Sequence, residues 1–147
     1  MDTSVSSYRT IDTHGKSQLD LVLQVYDGAI AAYYRAGEHF EGQQFTEGRE
    51  QMERAKRFVV HLYTTLNPEE GGEIAENLGK IYAYVVQETD VATATKDTGK
   101  IDDIISVLDN LRQGWRGLKE QEMSGSTPTE PTSKNEAQPV GGFSTSA

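Results

Sequence analysis

A chain of 147 residues with a formal net charge of −9 is long enough for one domain with a real core. Its acidity, with a pI near 4.8, speaks against a nucleic-acid binder, which needs a basic face, and against docking on anionic lipid. The absence of cysteine excludes a disulfide framework and any thiolate metal site. The first residues, MDTSVSSYRTIDTHGK, lack the apolar core of a secretory signal, and no apolar run approaches a membrane-spanning length. The expectation is a soluble cytoplasmic protein that does not insert into membranes.

Residues 1–16 are polar, with Tyr8 and Ile11 as lone apolar side chains, and read as a loose arm. Ser17 then suits an N-cap, and Asp20 falls at the third helical position, where the helix dipole favours a carboxylate. Leu19, Val22, Leu23, Tyr26, Ala29, Ile30, Tyr33, Gly37 and Phe40 recur at helical spacing, and Glu41-Gly42-Gln43 reads as a turn. In the second helix Phe45, Gly48, Met52, Ala55, Val59, Leu62 and Leu66 alternate steps of three and four, a stripe suited to shallow-angle bundle packing. It ends at Asn67-Pro68, because proline disfavours helix in the residue before it.

The third helix runs from about Glu70 to Thr95. Its main stripe is Ile74, Leu78, Ile81, Val85 and Ala92, beside a second of Ala75, Tyr82, Val86 and Thr89. Thr98-Gly99 is read as the break before a fourth helix carrying Ile101, Ile104, Leu108, Leu111, Trp115 and Leu118, widened by Ile105 and Val107. Gly114 and Gly117 each cost about 1 kcal/mol of helix propensity, and their place beside Trp115 is read as room for close packing. From residue 122 the Ser, Thr, Pro and Gly content reads as a disordered tail. The predicted fold is all-α: an antiparallel up-down-up-down four-helix bundle over 17–121, an arm over 1–16 and a tail over 122–147.

Gly71-Gly72 poses three alternatives: a phosphate cradle, a hinge or a helix start. A cradle wants a preceding strand and a following lysine, whereas Glu69, Glu70 and Glu73 surround these glycines. The helix start fits better. Asn67 can cap, Pro68 suits the first helical position, and the carboxylates meet the positive end of the dipole. Glycines there would let another backbone come close.

Reactive constellations are missing. The residues three before His14, His39 and His61 are Ile11, Ala36 and Phe58, so the Glu-x-x-His pairs of a di-iron bundle do not occur. There is no G-x-S-x-G elbow. Asp102, Asp103 and Asp109 read as a solvated helix face, and Tyr82 and Tyr84, two apart, must point different ways. The reading is a non-enzyme without cofactor. What is left over is apolar surface: two stripes on the third helix, and Leu21 and Val25 beside the main stripe of the first. Two uses stay open, a broad core with scattered exposed side chains or a groove for a partner helix.

The stretch SQLDLVLQVYDGAI, residues 17–30, resembles the first-helix signature of FliS-type flagellar export chaperones, with Val25 in place of the usual Leu before Tyr26, Asp27 and Gly28. Gly71-Gly72-Glu73-Ile74-Ala75-x-Asn77-Leu78 is similar to the family's Gly-Gly-Glu-Ile-Ala-x-Asn-Leu without a change. Ile81-Tyr82-Ala83-Tyr84 is similar to its Leu-Tyr-x-Tyr, and Asp97, Ile101, Leu111-Arg112 and Trp115 to its closing pattern. The usual Ala-Asn after helix three is Ala92-Thr93 here. The resemblance spans about residues 8 to 120.

That resemblance implies a small helical bundle that binds the C-terminal segment of flagellin in the cytoplasm, blocks early polymerisation and hands the client to the membrane export gate. The expected groove residues are Leu21, Val25, Ile74, Leu78, Tyr82, Val86, Val107 and Leu111, each of which could equally be core. Tyr8 matches the tyrosine of the family's arm, which in relatives resembles a movable cap over the groove and a contact for export machinery; Ile11 is the arm's other apolar anchor. Tyr26, Asp27, Gly28, Gly71, Gly72 and Trp115 are expected to hold the structure. The rivals are a homo-oligomeric bundle, down to a weak dimer, whose surplus apolar surface is its own interface; an adaptor for a different export client; and an enzyme with His39 or His61 as base.

Overall fold

The computed structural model describes residues 17–123. Four helices follow one another: α1 (Gln18–Glu41), α2 (Phe45–Thr64), α3 (Pro68–Thr95) and α4 (Thr98–Met123). The bundle residues up to Arg116 cluster as one compact unit; Gly117–Met123, in a second cluster, are helical. Tyr8 and Ile11, the rest of the arm of residues 1–16, and the tail from residue 124 lie outside the described residues.

Local chemistry sets the helix ends. The Ser17 hydroxyl accepts from the Asp20 amide at 3.1 Å while the Asp20 carboxylate accepts from the Ser17 amide at 3.2 Å, a reciprocal capping box. Gly42 closes α1, its amide donating to the Glu38 carbonyl at 3.0 Å. The break between α3 and α4 falls two residues before the expected Thr98-Gly99. Lys96 turns left-handed (φ 57°), and the Asp97 carboxylate accepts from the Lys100 amide at 3.2 Å. Once Asp97 caps the helix, Thr98 and Gly99 sit inside its first turn.

Side-chain contacts give the topology. An added Cβ at Gly28 would lie 2.7 Å from the Phe58 ring, and one at Gly48 would overlap Phe40, so α1 and α2 run antiparallel. Lys56 on α2 donates to Asp90 on α3 at 2.8 Å, while Leu66 and Tyr63 lie over Gly79. Lys100 reaches back to Glu88 at 2.9 Å across the α3–α4 turn. Arg112 meets Asp27 at 2.8 Å and Ile101 lies 3.9 Å from the Cβ position of Gly37, so α4 is antiparallel to α1.

The interior carries a polar ladder between the parallel pair α1 and α3. Tyr26 and Tyr82 share a hydroxyl hydrogen bond of 2.5 Å, to which the Trp115 indole N–H adds by donating to the Tyr26 oxygen at 3.1 Å. Two turns further on, Tyr33 donates to the Thr89 hydroxyl at 2.6 Å, which itself donates to the Val85 carbonyl at 2.6 Å. Both rungs join residues 56 apart, so the two helices run side by side in one register. All four of these tyrosine and threonine side chains are buried, and a buried hydroxyl without a partner would cost about 1–3 kcal/mol.

Consecutive residues of the Tyr26-Asp27-Gly28-Ala29 run serve different neighbours. Tyr26 enters the ladder, Asp27 pairs with Arg112 on α4, Gly28 makes room for Phe58 on α2, and Ala29 is buried. A helix advances about 100° per residue, so four successive positions sweep a full turn. Only a helix surrounded on several sides uses them all, and α1 is that helix.

Two glycine readings are corrected. Gly72 adopts φ 56° and ψ −131°, breaking the helical backbone inside α3, and a Cβ there would touch nothing within 4 Å. The glycine is required by a backbone conformation that L-residues rarely adopt, not by a close neighbour. Gly114 and Gly117 also have open space at their Cβ positions, so close packing does not account for them.

The contrast predicts opposite outcomes for one substitution type. Gly72→Ala should lower urea stability by about 1–3 kcal/mol, the cost of an unfavourable backbone conformation. Gly114→Ala should raise it by up to about 1 kcal/mol, because only helix propensity changes. Burial, reinforced by Asp90 and partly opposed by the Thr89 hydrogen bond, pushes the Tyr33 phenol up to about 12 from 10.0. A raised acid in the folded state stabilises the fold below the unfolded value and loses that contribution as pH rises through the folded one. Stability should therefore fall between pH 10 and 12 by on the order of 2–3 kcal/mol. Denaturation across that range should show Tyr33→Phe lacking this component.

Candidate functional site

The eight expected groove residues do not share one surface. Tyr82 is 1% exposed and its hydroxyl is held by Tyr26, which makes it a core residue. The core face of α3 is Ala75, Tyr82, Val85, Thr89 and Ala92, drawn mostly from the stripe taken as secondary. The ladder decides this: the hydroxyls of Tyr82 and Thr89 must face α1 to be paired. Ile74 is left 47% exposed, and Leu78 and Ile81 are half-buried. At i, i+4 and i+7 these three make one row along α3.

That row leads into a groove between α3 and α4, lined by Lys80, Ile81, Tyr84, Val107, Asn110 and Leu111, with a volume of about 400 Å³. Its wall is apolar except for Lys80 and Asn110. Tyr84 is 54% exposed, while Ile81, Val107 and Leu111 are half-buried. Four of the eight expected residues therefore follow this seam: Ile74, Leu78, Val107 and Leu111. Ile81 and Tyr84 were missed as groove residues. Tyr84 sits three residues beyond Ile81, at helical spacing, and that was the available signal.

Leu21 and Val25 lie on the opposite flank, between α1 and α2. They line a recess of about 250 Å³ with Gln18, Val22, His61 and Leu62, and Val25 extends into a neighbouring one of about 370 Å³. Val86 stands seven residues from Gly79, whose Cβ position meets Leu66 and Tyr63 at 3.6 Å, and so shares the α2 side of α3. There a broad, open depression of about 1050 Å³ has Ala75, Gly79 and Ala83 below Tyr63 and Leu66, with Glu73, Glu76 and Lys80 around it. Gly72 borders this depression rather than the α3–α4 groove.

Several charged groups near these surfaces are held in structural pairs. Asp27 takes Arg112 at 2.8 Å and Arg116 at 3.7 Å. The hydrogen bond from Arg112 holds the Asp109 carboxyl below its usual range. A hydrogen bond to Asp90 holds the Lys56 ammonium above its usual value, against some desolvation. His39 is half-buried and its Nδ1 lies 2.7 Å from the Gln44 side-chain oxygen; His61 is exposed. Among the described residues no three His, Asp or Glu side chains converge as a metal site would require, and no helix is long and apolar enough to cross a membrane.

The comparisons with known proteins bear on the family and the fold. The chain matches the family model described as flagellar protein FliS over residues 1–122. It is 29% identical to the flagellar secretion chaperone FliS of Salmonella typhimurium over 99 residues, 67% of this chain and 73% of that protein. It is 26% identical to the flagellar secretion chaperone FliSB of Pseudomonas aeruginosa, over 67% of this chain and 78% of that protein. A crystal structure of a bacterial flagellar chaperone shares the fold, with a TM-score of 0.69 at 22% identity, covering 79% of this chain and 94% of its own. Matched by the family model over residues 1–122, this chain belongs to the FliS family of flagellar proteins.

Proposed function

We propose that this protein is a cytoplasmic export chaperone that binds the C-terminal segment of flagellin, prevents premature polymerisation and delivers the client to the flagellar export gate. The observation that carries the reading is the apolar seam of Ile74, Leu78, Ile81, Tyr84, Val107 and Leu111, which the bundle leaves uncovered among its described residues. An amphipathic segment laid in such a seam replaces water over apolar side chains and pairs its own backbone as a helix. While the segment is held, its apolar face is unavailable to a second flagellin. Coupled folding typically buries about 1,000–3,000 Å² and spends about 2–5 kcal/mol on ordering, which keeps release reversible. No chemical step and no cofactor enters this mechanism, so we assign no catalytic residue. The arm anchors Tyr8 and Ile11 take the role of a weakly held cap and gate contact in this reading.

Titration calorimetry with the C-terminal peptide of the cognate flagellin should show one-to-one binding with a negative heat-capacity change. Ile81→Glu or Leu111→Glu, checked for unchanged helicity, should weaken it at least about tenfold, since each places a charge on a surface that binding desolvates. Leu21→Glu, on the opposite flank, should leave it unchanged. Loss of binding in Leu21→Glu with retention in Ile81→Glu would move the site to the α1–α2 side. Absence of binding together with concentration-dependent mass would favour the dimer reading.

A further inference from the structure

The α1–α2 flank differs from the rest of the molecule in charge. Between Arg54 and Pro68 the sequence holds Arg54, Lys56 and Arg57 and no carboxylate, within a chain of net charge −9. Lys56 is committed inward, to Asp90 at 2.8 Å and Glu53 at 3.7 Å. Arg54 and Arg57 are exposed, and no carboxylate among the described residues pairs with either; Arg54 lies over the Phe58 ring at 5.4 Å. Glu50 and Glu53 stand one turn before Arg54 and Arg57 on α2 and form no ion pair with them, and two acids of α1 are engaged elsewhere. Asp20 belongs to the capping box and Asp27 to Arg112.

Arg54, Arg57 and His61 step by three and four along α2, so they form one row. The row borders an apolar floor: Val25 and Phe58 share its recess, and Leu21 and Leu62 continue it around His61. Two arginines and a histidine beside half-buried aliphatic and aromatic side chains are the complement of a segment carrying carboxylates around an apolar anchor. Arginine presents a planar fork that a carboxylate can take with two hydrogen bonds. We propose that this flank is a second docking surface, for an acidic polypeptide segment with one or two apolar anchors, donated by a protein other than flagellin. It lies across the bundle from the α3–α4 seam, so both surfaces can be filled together. It stands independently of the client reading.

The test is fluorescence anisotropy on the full chain with labelled 15-residue peptides built around a common Leu-Phe pair, one flanked by glutamates and one by lysines. The acidic peptide should bind and the basic one should not. Raising salt from 50 to 300 mM should weaken binding at least about tenfold, because screening shortens the reach of surface charge. Arg54→Glu with Arg57→Glu should abolish it, and Lys119→Glu should not. The double variant should keep its thermal transition and its titration with flagellin peptide, which separates this surface from the client seam. Equal binding of both peptides, or binding that survives the double reversal, would overturn the proposal. So would tighter binding of a 15-nucleotide RNA than of the acidic peptide, which would make the surface a general anion site. A dimer seen by sedimentation and dissolved by the reversal would overturn it too, because the acidic partner would then be a second copy.

Discussion

The junction of Tyr26, Tyr82 and Trp115 constrains most of what surrounds it. Three large side chains from three helices meet, and their polar atoms pair with one another. Burying a hydroxyl unpaired is costly, whereas a paired one adds direction to an otherwise non-directional core. The junction therefore fixes rotation as well as proximity. Once Tyr82 faces Tyr26, the orientation of α3 about its axis is set, and Thr89, seven residues on, arrives opposite Tyr33.

Orientation of α3 in turn decides what the molecule offers to a partner. Helix α3 carries more apolar side chains than one core face can hold. With Tyr82 and Thr89 turned inward, the row through Ile74, Leu78 and Ile81 is pushed to the margin and meets Val107 and Leu111 of α4. An apolar seam follows from satisfying polar groups inside. On the far flank, Gly28 admits Phe58, and that contact brings the basic row of α2 alongside Leu21 and Val25. Asp27 is taken up on the α4 side, and no carboxylate among the described residues pairs with Arg54 or Arg57.

The glycines show how one residue type answers separate demands. Gly28 and Gly48 are small because an aromatic ring occupies the space of a Cβ. Gly72 is a glycine because its backbone enters a region closed to side chains, although the space beside it is open. The Gly-Gly motif thus marks a change of direction at the start of α3, after which the helix runs unbroken to Thr95.

The sequence by itself determined the four helices, their stripes, the Ser17 cap and the family motifs. These are local or periodic features, and a capping hydroxyl or a three-four repeat acts within a turn or two of its own position. It also placed Tyr82 and Tyr84 on different faces, since two residues on a helix cannot point together. It did not separate core from seam on α3, because periodicity gives each side chain an angle but not the direction in which neighbours lie. Nor could spacing show that Gly72 serves the backbone, or that Asp97 rather than Thr98-Gly99 ends the turn. Tertiary structure decided these points through contacts made 56 to 89 residues apart in the chain, where hydroxyl meets hydroxyl and indole meets phenol. Such pairings depend on the position of whole helices, and helix position is set by the burial of all four at once.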